Sequence, residues 1–141
     1  MIRPVLRRKS HQRPVSPEEW KTLIKTAIDH SRMAEHYLRR GDFHQATLSW
    51  IQAGYLLGEA VLAHVSGIRT ASERHGELCY LLLRLYSLSE DGQAIRWLAE
   101  LFDLKILAGW EGRKLAENEA MLSSKKFHSF YQWARTKLPM H

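Results

Sequence analysis

The sequence predicts an all-α protein, an up-and-down antiparallel bundle of about five helices with a flexible basic N-terminal arm. No proline occurs between Pro17 and Pro139, and proline in that interval would break helices. Apolar residues recur at helical spacing between short segments rich in glycine and capping residues. No segment alternates apolar and polar residues as a half-buried strand does. Short connections between long amphipathic helices predict antiparallel neighbours.

The first two helices have the clearest start and stop signals. Residues 16–19, Ser-Pro-Glu-Glu, combine an N-cap serine with proline at the first helical position. A first helix therefore begins here, and Gly41 ends it. Asp42 can cap a second helix, which runs to Gly67. Together these residues predict a helical hairpin.

Two features of the second and third helices are compatible either with packing inside the domain or with contacts between subunits. Gly54 and Gly58 lie in the second helix, where each glycine costs about 1 kcal/mol relative to alanine. They indicate either close helix packing within the domain or a surface where two subunits approach. The third helix, predicted to begin near Thr70 or Ser72, is apolar around most of its circumference over residues 80–88. Such a helix is central in its domain or covered by a second subunit.

Two further helices complete the predicted bundle. Residues 89–92, Ser-Glu-Asp-Gly, are typical of a turn and cap before a fourth helix. Gly109 and Gly112 mark the next break, and apolar residues over 116–134 predict a last helix. A chain of 141 residues suits one domain. We assign residues 16–141 to it.

The positive charge is concentrated in the arm, residues 1–15. The first thirteen residues contain no acidic residue and five basic ones, Arg3, Arg7, Arg8, Lys9 and Arg13. The other 128 residues carry sixteen Lys and Arg against fifteen Asp and Glu, so the net charge of +6 describes a basic arm on a nearly neutral domain. The arm is too polar to order itself and could bind RNA through its phosphates, with strong dependence on salt. A solvated arm without a partner is the alternative.

Several function classes are disfavoured because their motifs are absent. Cys79 is the only cysteine, which excludes an intramolecular disulfide and a Cys-based zinc cluster. The sequence has no Glu-x-x-His, no His-Glu-x-x-His, no P-loop and no Gly-x-Gly-x-x-Gly. We therefore expect neither a metal nor a nucleotide cofactor. No apolar stretch approaches the roughly 18 residues of a membrane span, and we expect a cytoplasmic protein that does not bind membranes.

Three segments resemble a known family, the HEPN domains, which are small helical proteins of higher eukaryotes and prokaryotes. Residues 34–46, AEHYLRRGDFHQA, resemble the opening hairpin of these domains. Residues 53–67 resemble the family's helix with an Ala-Leu-rich end and a glycine, and residues 74–78 resemble the histidine-led start of its next helix. The resemblance covers residues 34–88, and a weaker similarity extends over residues 115–139. A tetratricopeptide-like adaptor could share the Gly-Asp-Phe-x-x-Ala segment, although no 34-residue repeat is present.

This resemblance implies an all-helical homodimer that acts by binding RNA, a nucleotide or a partner protein such as a nucleotidyltransferase. It also implies a toxin–antitoxin or defence setting. Many members of the family are metal-independent ribonucleases with an Arg-x(4–6)-His motif, in which the arginine holds a phosphate and the histidine transfers a proton. A ribonuclease is therefore an alternative to a binding module. A third hypothesis is a purely structural helical adaptor whose basic arm docks on an acidic protein surface.

The Arg-x(4–6)-His spacing alone does not select a site, because chance gives about as many matches as the chain contains. The matching pairs are Arg39 with His44, Arg69 with His75, and Arg135 with His141. Only Arg69 and His75 lie at a helix entrance, where Arg74 is adjacent. If the chain is an enzyme, we expect Arg69 or Arg74 to hold the phosphate and His75 to move the proton.

Overall fold

The computed structural model describes residues 12–16, 18–71, 74–86, 89–110 and 112–140, and it confirms the predicted all-α class. Over these residues the chain forms five helices and one two-stranded sheet. The helices are α1 (Glu19–Arg39), α2 (Phe43–Ser66), α3 (His75–Leu85), α4 (Ser89–Trp110) and α5 (Glu117–Arg135), and the strands are β1 (Gln12–Pro14) and β2 (Ile68–Thr70). Among the described helices, none has the length and apolar character that crossing a membrane requires.

The α1–α2 hairpin forms where its capping residues predict it. Gly41 has a φ of +78°, a left-handed conformation that glycine adopts at little cost. The Asp42 carboxylate then accepts a hydrogen bond from the Gln45 backbone N–H at 3.2 Å, which caps α2. Gly67 ends α2 with a φ of +68°. Local capping chemistry therefore sets both ends of α2.

The centre of the bundle is α2, which packs against each of the other four helices. Its two glycines allow this close approach. A Cβ atom on Gly54 would lie 2.5 Å from Cδ2 of Leu101, and one on Gly58 would lie 2.8 Å from Cδ2 of Leu78. The glycines therefore serve packing of α2 against α4 and α3 within the domain, the first of the two predicted alternatives.

Helix α3 lies at the edge of the bundle and keeps part of its apolar surface exposed. Leu78, Leu81 and Leu82 are buried against the core. Leu83 is 45% exposed and Leu85 is 40% exposed. The described residues therefore leave part of the apolar circumference of α3 uncovered. Of the two predicted alternatives, the one that makes α3 the central helix of its domain is wrong, because α2 has that position.

The small sheet was not expected from the sequence, and it shortens the predicted arm. β1 and β2 are antiparallel, and Gln12 pairs with Thr70, Arg13 with Arg69, and Pro14 with Ile68. The Val15 N–H also donates to the Gly67 carbonyl at 2.9 Å. Residues 12–15, assigned to the arm, are thus joined to the domain, while residues 1–11 lie outside the described residues. Strands of three residues are too short to show an alternating pattern.

Three predicted boundaries differ from those observed. Helix α3 begins at His75, and Thr70 belongs to β2 instead of starting the helix. Residues 89–92, predicted as a turn, form the first turn of α4. Helix α4 also continues through Gly109 to Trp110. Acidic residues are favourable inside the first turn of a helix as well as before it, which explains why residues 89–92 are helical.

Candidate functional site

Two carboxylates hold Arg69, the predicted phosphate-binding residue. Its Nη1 donates to Oε2 of Glu19 at 3.1 Å, and its Nε lies 3.7 Å from Oε1 of Glu59. Burial lowers the pKa of Arg69, but the charge of Glu59 and the hydrogen bond to Glu19 outweigh burial and raise the pKa overall. The guanidinium therefore stays charged, and groups of the same chain already neutralise it.

The carboxylate of Glu59 is the centre of a buried polar network. Glu59 is fully buried, and its Oε2 accepts hydrogen bonds from the hydroxyls of Tyr55 and Thr70, each at 2.5 Å. Its Oε1 accepts from the Thr70 backbone N–H at 3.2 Å. Burial and the bond to Glu59 raise the pKa of Tyr55 far above its usual range, so its hydroxyl keeps its proton and donates. These bonds compensate the loss of water around a buried charge.

His75, the predicted proton-transfer residue, lies between two aromatic rings. Its ring stacks on Phe102 with centroids 4.1 Å apart, and it contacts the ring of Tyr55 at 5.2 Å. Burial lowers the pKa of His75 to about 4, and the nearby charge of Lys105 adds to the effect. His75 is therefore neutral at pH 7, and ring contacts position it.

The structure does not assemble the predicted residues into one arrangement. Among the described residues, no hydrogen bond or ion pair joins Arg69 to His75. Arg69 contacts Glu59, whereas His75 contacts the ring of Tyr55. Arg74 is exposed at the N-cap of α3 and forms no ion pair within the described part of the chain. Arg13 is exposed on β1. The other predicted arm residues, Arg3, Arg7, Arg8 and Lys9, lie outside the described residues.

A cleft runs between α3 and α4 beside His75, and we call it the α3–α4 cleft. It consists of two cavities, of about 360 and 520 Å³, that share Cys79 and Ala99. Ile106 lines the first cavity and Leu83 lines the second. Burial, with the charge of Asp103, raises the pKa of the Cys79 thiol to about 12. Most of the exposed surface of the cleft is apolar. Because its pKa is raised, the Cys79 thiol is not a nucleophile at neutral pH.

A polar depression of about 420 Å³ lies where the α1–α2 turn meets the loop between α4 and α5. His44 joins the two segments, because its Nδ1 accepts a hydrogen bond from the Leu115 backbone N–H at 3.0 Å. Arg40 and Lys114 line the depression from opposite segments. The sequence offers no local signal for this juxtaposition, since the two cations are far apart along the chain.

No protein-family model, curated protein or solved structure matches this chain. Within the described residues, no group of three or more His, Cys, Asp or Glu side chains is placed to hold a metal ion. The resemblance to HEPN domains therefore stays a prediction, as do the activities that it implies.

Proposed function

We propose that the chain is a helical binding module that forms a homodimer through the α3–α4 cleft. The observation that carries this proposal is the apolar surface around the cleft. Leu83 is 45% exposed, Ile106 is 60% exposed, and each lines one of the two cavities. Exposed apolar side chains grouped around a groove are typical of protein interaction surfaces.

A second copy of the chain is the partner that we propose, because the cleft combines exposed apolar side chains with a wall of small residues. In a two-fold interface each surface meets its own copy. The side chains of Leu83 and Ile106 on one copy can then enter the cleft of the other, whose wall at Cys79 and Ala99 consists of small residues. The rim carries both signs of charge, with Asp103 beside the first cavity and Arg96 beside the second. A two-fold axis across the cleft can bring these opposite charges together.

Binding is favoured over ribonuclease activity by the environment of the predicted catalytic residues. Arg69 would have to give up Glu19 or Glu59 to hold a phosphate. His75 stacks on Phe102 in an environment that disfavours its charged form. Leu83 of α3 and Ile106 of α4, by contrast, are exposed beside the α3–α4 cleft. A structural adaptor would use the same surface.

Light scattering of the full chain during size exclusion tests this function. We expect a particle of twice the chain mass of 16.5 kDa at micromolar concentration. Leu83→Glu and Ile106→Glu each place a charge in the proposed interface and should give monomers. Met33→Glu is the matched control, because Met33 is also 45% exposed but lies on α1. A monomeric unmodified chain, or a dimer that survives both cleft substitutions, would contradict the proposal.

A second candidate function, RNA binding through the basic arm, is favoured by the charge distribution. Five basic residues and no acidic residue precede Pro14, and the β1–β2 pairing fixes the base of the arm to the domain with Arg13 exposed. Binding of single-stranded RNA should weaken with salt, with a logarithmic slope that falls by about 0.7 for each charge removed. The triple substitution R7Q, R8Q and K9Q should therefore lower the slope by about 2. An unchanged slope would rule out these three charges as the RNA contact.

A further inference from the structure

The polar depression at the α1–α2 turn is a feature that the proposed dimer surface does not use. Residues 40–44 form one wall, and Lys114 and Leu115 form the other. The side chain of Leu115 is buried, and its backbone N–H is bound to Nδ1 of His44 at 3.0 Å. The two walls are thus held together by packing and by a hydrogen bond, and the depression is built into the fold.

Two cations face this depression without partners from the described residues. Arg40 and Lys114 are exposed, and neither forms an ion pair within the described part of the chain. By contrast, Arg113 next to Lys114 is paired with Glu119 at 3.1 Å. Among the described residues that line the depression, Asp42 has the one carboxylate, and its Oδ1 accepts the Gln45 N–H that caps α2.

His44 adds an oriented hydrogen-bond donor. Because Nδ1 of His44 accepts from Leu115, the hydrogen of the neutral ring is on Nε2. No hydrogen bond to Nε2 is formed by the described residues, so this donor is available to a ligand. The positive end of the α2 dipole, at Phe43, strengthens the attraction for an anion.

We infer that this depression binds a phosphate group. Arg40 and Lys114 line the depression from two segments. A phosphate presents oxygens in several directions, which suits cations on two sides, whereas a carboxylate has two oxygens in one plane. The Nε2–H of His44 supplies a further contact. The phosphate of a free nucleotide and that of an RNA backbone share this chemistry. The residues that line this site belong neither to the α3–α4 cleft nor to the arm.

Calorimetric titration of the full chain with inorganic pyrophosphate tests this inference. We expect saturable binding, and Arg40→Gln and Lys114→Gln should each weaken it by about tenfold, the effect of losing one charge-assisted contact. In ¹H–¹⁵N spectra, pyrophosphate should shift the amide signal of Leu115. Lys25→Gln is the matched control, because Lys25 is an exposed cation on α1 outside the depression. It should leave the affinity unchanged.

Two further experiments distinguish this site from RNA binding by the N-terminal arm and identify the source of the phosphate. The R7Q, R8Q and K9Q variant should bind pyrophosphate as the unmodified chain does. Tighter binding of a nucleoside diphosphate than of pyrophosphate would indicate a nucleotide, and displacement of pyrophosphate by single-stranded RNA would indicate a backbone. Absence of binding at millimolar pyrophosphate, or equal losses in the Lys25→Gln and Arg40→Gln variants, would overturn the inference.

Discussion

The hydroxyl of Tyr55 donates a hydrogen bond to the carboxylate of Glu59 one turn further along α2, and both side chains are buried. Thr70 of β2 binds the same carboxylate through its hydroxyl and its backbone N–H. The guanidinium of Arg69 lies beside this carboxylate and also pairs with Glu19 at the start of α1. One buried carboxylate thus ties the small sheet to two helices, and the position of β1 depends on it.

Replacement of Glu59 by alanine should destabilise the fold by about 3–5 kcal/mol. The substitution removes the acceptor of the Thr70 N–H and of the Tyr55 and Thr70 hydroxyls, and it leaves Arg69 with Glu19 as its one remaining carboxylate among the described residues. Breaking a buried ion pair on one side has this magnitude. Urea unfolding followed by circular dichroism measures the loss. Asp29→Asn, an exposed carboxylate of α1, should leave the midpoint unchanged. A loss below about 1 kcal/mol would show that the network contributes little.

Replacement of Gly54 by alanine should lower the melting temperature although alanine favours helices. The added methyl group would lie 2.5 Å from Cδ2 of Leu101. Overpacking of this kind costs about 1–3 kcal/mol, while the gain in helix propensity is about 1 kcal/mol. Gly92→Ala is the control, because among the described residues a Cβ at Gly92 would meet no atom within 4 Å beyond its chain neighbours and the backbone of its own helix. If both variants melt at or above the temperature of the unmodified protein, the helices are not as closely packed as described.

The features predicted from the sequence are those that local chemistry determines. Gly41, Asp42 and Gly67 end or begin helices through contacts with residues a few positions away, and the structure has them in these roles. The number of helices follows from the same signals. The predicted boundaries of the elements between α2 and α4 are less accurate. The reason is that β2 forms only when β1, more than fifty residues earlier, pairs with it.

The candidate site could not be predicted because its contacts are distant in sequence. The sequence predicts that Arg69 holds a phosphate, but Glu19, which pairs with Arg69, lies fifty residues away and has no local signal of this contact. One signal was available in α2. Glu59 interrupts an apolar helix, and a charge inside a buried helix needs partners. Tyr55, four residues earlier and on the same helical face, is such a partner.

The stability of the protein should fall between pH 6.5 and pH 4 through His75. Its pKa is about 4 in the folded protein, against 6.5 for an ordinary histidine. Between these values the unfolded chain binds a proton that the native state excludes, so the contribution is complete above pH 6.5 and is lost as pH falls towards 4. Urea midpoints across this range should decline less for His75→Phe than for the unmodified protein. His36→Gln, an exposed histidine, should follow the unmodified protein.

The intact chain should not cleave a structured RNA in excess EDTA at pH 7. With a pKa of about 4, roughly one His75 ring in a thousand carries the proton that a general acid must supply at this pH. Arg69, the other half of the predicted pair, is held by Glu19 and Glu59. Gel analysis of labelled RNA should therefore show equal, background cleavage for the intact protein and for His75→Ala. Cleavage that disappears in the His75→Ala variant, with its fold and oligomeric state retained, would instead establish a ribonuclease with His75 in its site. The charged residues around Arg69 would then have to rearrange when RNA binds.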